Sequence, residues 1–146
     1  MIHRHLTVLE DYTTVATVLV EQLHPHSDPR GFLIEPLEGP ALAAQKNVHA
    51  AWTFRGAVRG NHYHVRGTEA VTVFGPALAR YRDESGVHDV RVPKGELYRF
   101  TIPPGIEHAF GASGPEPMLL IGFNTEAHDP MAPNVVPVQL LDGSEL

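Results

Sequence analysis

Two histidines and a glutamate lie close together in the stretch GAVRGNHYHVRGTEAVTVFG. On a β-strand, residues two apart point to the same face, so HYH places the side chains of His62 and His64 together. The turn VRGT follows, and the next strand begins at Glu69, which shares a face with Val71 and Val73. A carboxylate on an apolar face is costly to bury unless it is paired or bound to a cation. This spacing therefore predicts a partner for Glu69.

A third histidine follows in TIPPGIEHAFG, where two prolines and a glycine set a rigid turn before His108. Three imidazoles and a carboxylate make a mixed nitrogen and oxygen donor set, which suits zinc, iron, manganese, nickel or copper and not calcium. We therefore predict that His62, His64, Glu69 and His108 bind one divalent metal ion, with zinc favoured over iron, manganese or nickel. The other histidines have no comparable partners and are expected to play no part in the site: His3, His5, His24, His26, His49, His88 and His128.

The elements that must position these side chains read as short β-strands. Apolar residues recur with a period near two, and turn residues separate the runs, among them 13 glycines and 13 prolines. No long helical pattern is present, although residues 40–45 suit one short helical turn. This pattern predicts an all-β antiparallel jelly roll or small barrel. The candidate strands are 13–23, 31–37, 47–54, 69–74, 77–83, 87–92, 97–102, 118–124 and 134–141.

Length and composition restrict the class of protein further. A chain of 146 residues predicts one domain with a real core, which we divide into extension strands (1–45), a metal-binding barrel (46–130) and a C-terminal strand (131–146). The chain has no cysteine, which excludes disulfides and thiolate metal sites. A net charge of −6 without a Lys/Arg cluster argues against nucleic acid. We expect a cytoplasmic protein that binds no membrane, since its start contains no leader or membrane span.

The spacing of these residues resembles the two motifs of the cupin superfamily. The first motif, G-x5-H-x-H-x4-E-x6-G, is matched by Gly56, His62, His64 and Glu69, and the second, G-x5-P-x-G-x2-H-x3-N, is matched by Pro103, Gly105 and His108. The chain departs from the first motif at Gly75, which comes one residue early. It departs from the second at Gly95, which lies two residues too far upstream, and at Ala112, where asparagine is usual. The resemblance implies a cupin double-stranded β-helix (jelly-roll) barrel with the metal inside.

A narrower resemblance covers most of the chain. SDPRGFLIEPL is similar to the opening of the dTDP-4-dehydrorhamnose 3,5-epimerase family. The segments RGNHYH, IPPGIEH and TEAHDP look closer to the metal-binding C-terminal cupin domain of bifunctional capsular-polysaccharide reductase/epimerases. This resemblance implies an epimerase or isomerase of nucleotide-linked keto-deoxy sugars in polysaccharide or deoxysugar biosynthesis.

The resemblance to the rhamnose-type epimerases carries over only in part. Their catalytic base falls on His62, and the glutamine that follows in that family is His64 here, which converts the base site to a metal pair. Their acid, a tyrosine, would fall on Gly122 or Phe123, so it is missing. A metal-assisted variant of the reaction is more consistent with these residues.

Epimerisation next to a ketone also needs a group that moves a proton and groups that hold the substrate. The candidates for proton transfer, besides His62, are Lys94, Tyr98, Glu107 and Glu126, together with Tyr63 if its strand is bulged. Tyr98 and Glu107 join His62 in the predicted catalytic set. The resemblance implies that Arg30, Phe32 and Glu35 contact the nucleotide, and the alternative is an ordinary turn. Arg59 suits a phosphate or a carboxylate, and the alternative is a surface arginine. Trp52 is expected in the core.

Other functions share the same ligand set. A metal-dependent cupin oxygenase, another small-molecule enzyme such as a phosphosugar isomerase, and a non-catalytic sugar-binding cupin all stay open. The apolar stretch 13–23 could pair with the sheet edge of a second subunit, so a homodimer is expected.

Overall fold

The structure is a computed structural model and describes residues 16–146. Within that part of the chain it consists of β-strands, one short helix, α1 (Gly39–Ala43), and one 3-10 helix (Gly143–Glu145). The strands are β1 (Leu19–Leu23), β2 (His26–Asp28), β3 (Gly31–Leu33), β4 (Asn47–Thr53), β5 (Val58–His64), β6 (Glu69–Phe74), β7 (Ala77–Asp83), β8 (Gly86–Val92), β9 (Leu97–Ile102), β10 (Glu107–Ala112), β11 (Met118–Asn124) and β12 (Val135–Pro137).

Two five-stranded antiparallel sheets face each other across the core. Their strand orders are β1-β9-β6-β11-β4 and β12-β5-β10-β7-β8, and β2 and β3 form a separate hairpin. Side chains from both sheets pack into one cluster, in which Phe100 and Phe110 meet edge to face with ring centroids 5.4 Å apart. Such an aromatic pair adds about 0.5–1.5 kcal/mol beyond the area it buries. The all-β jelly roll predicted from the sequence is confirmed.

Strand β6 brings its first residue to the end of this core. Val71 and Val73 point inward and are almost fully buried. The opposite face of the strand is covered by the segment before α1, where Leu37 packs on Ala70. Glu69 shares the inward face of β6 with Val71 and Val73, so its carboxylate points between the two sheets and the residue is only 6% exposed.

Several strand boundaries differ from those predicted. Strand β10 lies in a stretch that had no candidate strand, because EHAFGA is rich in small and polar residues. The candidates 31–37 and 134–141 shorten to three-residue strands. Of the candidate 13–23, residues 19–23 form a strand, and residues 13–15 lie outside the described part of the chain. The expected helical turn is present as α1. The division at residues 45 and 130 stays a prediction.

The expectation that Trp52 lies in the core is wrong. Its strand, β4, is at the edge of the first sheet, and its side chains alternate between the two faces. Thr53 points inward and is 1% exposed, whereas Trp52 points outward and is 58% exposed. The period-two pattern therefore held, but the inward face of β4 carries the small and polar residues.

Candidate metal centre

A β-bulge in β5 sets the direction of His62 and His64. Opposite β10, His108 pairs with His62 and Ala109 pairs with Gly60, so one extra residue is inserted in β5. Gly60 and Asn61 at this bulge both have positive φ (87° and 55°). Glycine adopts such a conformation without steric cost, and asparagine tolerates it better than most residues. The side chain of Asn61 is fixed from outside, since its Oδ1 accepts from the backbone N–H of Leu141 at 2.9 Å and its Nδ2 donates to the Leu141 carbonyl at 3.0 Å.

The four predicted ligands converge between the two sheets. His62 and His64 come from β5, His108 comes from β10 in the same sheet, and Glu69 comes from β6 in the facing sheet. One ligand atom from each of them can be chosen so that all four lie within 4.8 Å of one another. The imidazole centroids are 4.8–5.6 Å apart. The structure therefore brings together the four side chains that the sequence singled out, and metal binding by them stays a prediction.

Hydrogen bonding around His108 shows which atoms face the cluster. Its Nδ1 donates to the backbone carbonyl of Ile106 at 2.9 Å, which leaves Nε2 of the neutral ring as an acceptor. This Nε2 lies 3.3 Å from Oε2 of Glu69, and Nε2 of His64 also contacts that oxygen. All three atoms are buried, and none has a partner with hydrogen-bond geometry. Two acceptors so close repel each other unless a proton or a cation lies between them.

The charge states of the cluster suit a cation. Burial raises the pKa of Glu69. Donation from His108 and His64, which needs a proton on each Nε2, outweighs burial and holds the pKa of Glu69 well below its usual range, and a cation in place of those protons would act in the same direction. Burial also lowers the pKa of His62 to about 4, with a further contribution from His108. At neutral pH the site therefore contains an ionised carboxylate and a neutral His62 imidazole. These are the protonation states that metal ligands need, so the residues fit a divalent metal with three nitrogen donors and one oxygen donor.

A pocket of about 430 Å³ opens above the cluster. Its floor includes His62, His64 and Glu69. One wall is formed by Asn47 and His49 of β4, and the other is formed by the loop 125–134 that follows β11. A pocket of this volume lies in the range of small-molecule sites.

The sequence model of the polysaccharide biosynthesis C-terminal domain matches residues 26–136, which is more than half of the chain. The chain belongs to this family. No curated protein sequence matches the chain.

Solved structures with the same fold include proteins that act on sugar nucleotides. The capsular polysaccharide assembling protein CapF of Staphylococcus aureus is 24% identical with a TM-score of 0.59, and the match covers 65% of this chain and 27% of that protein. The sugar 3,4-ketoisomerase QdtA of Thermoanaerobacterium thermosaccharolyticum, in complex with TDP, is 17% identical with a TM-score of 0.63, covering 82% and 86%. The 3'-monoepimerase ChmJ of Streptomyces bikiniensis, in complex with dTDP-quinovose, is 19% identical with a TM-score of 0.66, covering 81% and 68%. At these identities the likeness shows the fold.

Two of the predicted catalytic residues of this chain, Tyr98 and Glu107, do not reach the pocket. The hydroxyl of Tyr98 donates to Glu96 at 3.0 Å, and Tyr98 pairs with Val73, four residues along β6 from Glu69. Glu107 pairs with Arg82 at 2.6 Å, on the face of β10 opposite His108. The structure separates both side chains from the four predicted ligands, because strand alternation and register direct them elsewhere. His62, by contrast, lies within the cluster.

The other candidates for proton transfer are divided in the same way. Glu126 lines the pocket, and its Cγ lies over Gly67, where a Cβ would be 2.7 Å away. Lys94 pairs with Glu116 at 2.6 Å and is exposed. Tyr63 alternates away from His62 and His64 and is not among the residues that line the pocket.

The predicted substrate-binding residues lie outside the pocket as well. Arg30 is 90% exposed and binds Asp28 within its own hairpin. Phe32 packs on Phe74 with ring centroids 6.0 Å apart, and Glu35 is exposed. Arg59 donates from Nε to Oγ1 of Thr53 at 3.1 Å, toward the end of β4 farther from His49.

The sequence interpretation missed His49 and His128, which both line the pocket. His128 lies in the TEAHDP segment that carried the family resemblance, so its position in that motif was a usable signal. His49 had a weaker signal, namely its place on the same face of β4 as Asn47, Ala51 and Thr53, and nothing in the sequence showed that this face is the inner one. In the described part of the chain, no helix is long and apolar enough to cross a membrane.

Proposed function

We propose that the chain is a metal-dependent epimerase or isomerase of nucleotide-linked 4-keto-6-deoxy sugars, working in polysaccharide or deoxysugar biosynthesis. The observation that carries this proposal is the cluster of three imidazoles and one carboxylate at the floor of a pocket of about 430 Å³. Membership of the polysaccharide biosynthesis C-terminal domain family supports it. The complexes of its structural relatives with TDP and dTDP-quinovose also support it.

The metal in this proposal is held by His62, His64, Glu69 and His108, with zinc favoured over iron, manganese or nickel. When bound, a divalent cation polarises a carbonyl oxygen as a Lewis acid. Glu69 and the three imidazoles supply the donor atoms, and the Ile106 carbonyl orients the ring of His108. As a ligand, His62 has no free nitrogen in the pocket for use as a base, so the proton must be moved by another side chain.

In this proposal Arg30, Phe32 and Glu35 of the hairpin region bind the nucleotide. Arg59 also contacts the substrate. The hairpin packs against Phe74, at the opposite end of β6 from Glu69. The five residue steps from Glu69 to Phe74 span about 17 Å. A hairpin at that distance suits the pocket of a second copy better than its own, which supports a homodimer in which each hairpin serves the partner's site.

The homodimer is tested by light scattering and by complementation. We expect a dimer at micromolar concentration. Neither Arg30→Ala nor His64→Ala should be active alone, whereas a mixture that exchanges subunits should recover up to about a quarter of the wild-type activity, because a mixed dimer keeps one intact site. A monomer would contradict the homodimer, and a dimer without recovery would contradict the shared site.

The function is tested by proton NMR in D2O with a purified, zinc-loaded protein and a dTDP- or UDP-linked 4-keto-6-deoxy sugar. We expect solvent deuterium at C3 or C5, and we expect its loss after chelation and in Glu69→Gln. No deuterium in the presence of zinc, iron, manganese or nickel would overturn the proposal. Oxygen uptake by the iron-loaded protein would point to the oxygenase, and saturable binding without exchange would point to a sugar-binding protein.

A further inference from the structure

His49 lies on the inner face of β4, beside the metal ligands but outside their cluster. In the first sheet His49 pairs with Gly122 of β11, and Gly122 pairs in turn with Val71 of β6. The next inward row along the same strands is Asn47, Asn124 and Glu69. His49 is therefore one inward position away from the row that contains a predicted ligand, and it lines the same pocket.

The absence of a side chain at Gly122 makes room for the His49 ring. A Cβ at position 122 would lie 2.5 Å from both Cε1 and Nε2 of His49, which is closer than real Cβ contacts. Gly122 has no positive φ, so backbone conformation does not explain the glycine. The close approach of the ring does explain it, and this approach places Nε2 over the inner surface of the sheet.

Asn47 orients the ring from the other side. Nδ1 of His49 lies 3.4 Å from Oδ1 of Asn47 and donates to it in the neutral tautomer, which leaves the lone pair on Nε2 free. His49 is exposed to the solvent in the pocket, so its proton can exchange with water. It is also close enough to His62 to contribute to the lowered pKa of that ring. The other titratable groups on the pocket walls and floor are His64, Glu69, Glu126, His128 and Asp129.

We propose that His49 transfers the proton at the carbon next to the substrate ketone, an inference that rests on the proposed function. Nε2 takes the proton from that carbon, so that the C–H bond breaks and an N–H bond forms. The electron pair of the C–H bond moves to the carbonyl oxygen and gives an enolate. The imidazolium proton then restores the C–H bond on the same face, or water donates a proton on the opposite face and the hydroxide that forms takes the proton from the imidazolium. No oxidant or reductant is consumed.

The first test replaces His49 with glutamine, which fills similar space but cannot exchange a proton near neutral pH. We expect deuterium exchange at the reacting carbon to fall by at least about 100-fold, within the range for the loss of a general base. Zinc content and the dissociation constant for the nucleoside diphosphate should stay as in the wild type. His24→Gln, an exposed histidine between β1 and β2, is the matched control and should exchange at the wild-type rate.

The second test uses Gly122→Ala, which displaces the His49 ring without changing its chemistry. Exchange should fall in Gly122→Ala, yet adding Gly122→Ala to His49→Gln should cause little further loss, because the ring it displaces is gone. A purely structural effect of the alanine would instead lower the exchange rate equally in both backgrounds, as expected for independent changes.

The outcomes separate the two proposals. If the wild type exchanges deuterium and His49→Gln exchanges it at an undiminished rate, the role of His49 is overturned and the proposed function stands. Loss of zinc from His49→Gln also overturns it, since His49 would then hold the metal. No exchange by the zinc-loaded wild type overturns the proposed function and the role of His49 together.

Discussion

Replacing Glu69 with glutamine should abolish the thermal stabilisation that zinc gives the protein. The buried atoms His64 Nε2, Glu69 Oε2 and His108 Nε2 have no hydrogen-bond partner among the described residues. Each unsatisfied buried group costs about 1–3 kcal/mol, so satisfying all three with a cation is worth roughly 3 kcal/mol at the low end. For a chain of this size each kcal/mol shifts Tm by about 2–4 °C, so zinc should raise Tm by about 6–12 °C.

The assay is differential scanning calorimetry of chelator-stripped protein, with and without one equivalent of zinc added back. Glu69→Gln preserves the volume of the side chain but removes the charge. Zinc should therefore raise the Tm of this variant by less than about 2 °C, which corresponds to less than about 1 kcal/mol. Glu84→Gln, an exposed carboxylate in the β7–β8 turn, is the control and should respond like the wild type. The reasoning fails if stripped and loaded wild type melt together, or if Glu69→Gln keeps the full shift.

Gly60→Ala should destabilise the chain and reduce its zinc content, because the new Cβ would lie 2.8 Å from a β10 carbonyl. Gly95 has a similar φ but no atom close to its Cβ position, so Gly95→Ala is the control. Equal zinc loss in both variants would contradict the bulge argument. The metal-free protein should lose stability as the pH falls from about 6.5 toward 4, since His62 has a folded pKa of about 4 and the unfolded chain takes up the proton first. Melts of His62→Gln should depend less on pH in that window, and an equal slope would contradict this account. Asn134→Ala removes two hydrogen bonds to the Arg66 backbone, at 2.7 and 2.8 Å; hydrogen exchange in loop 125–134 should therefore quicken, and unchanged protection would contradict the role of Asn134 as its anchor.

The fold class could be predicted because it depends on local patterns. EAVTVF alternates and is bounded by turn residues, and β6 occupies Glu69–Phe74 as predicted. Strand β10 could not be predicted in the same way, because EHAFGA is a strand only through its pairing with β5 and β7. Three of the four predicted ligands, His62, His64 and Glu69, lie within eight residues, so alternation and one turn were enough to suggest them.

The direction of side chains outside these motifs depends on long-range pairing. In a regular strand Arg59 would face away from His62, but the bulge at Gly60 and Asn61 puts both on the face that includes His108 and Phe110. Arg59 therefore reaches Oγ1 of Thr53. A bulge exists only relative to a partner strand, so the sequence of β5 alone does not specify it.

The amino-acid sequence by itself determined the alternating strands, the turns between them and the identity of the four clustered donors, because these depend on neighbours within a few residues. Only the tertiary structure decided which residues share the pocket. It placed His49 there, over Gly122 of a strand more than 70 positions later, and it took Tyr98 and Glu107 away from it. The physical reason is that register between distant strands sets which face is inside, and a period of two in the sequence is equally compatible with either face.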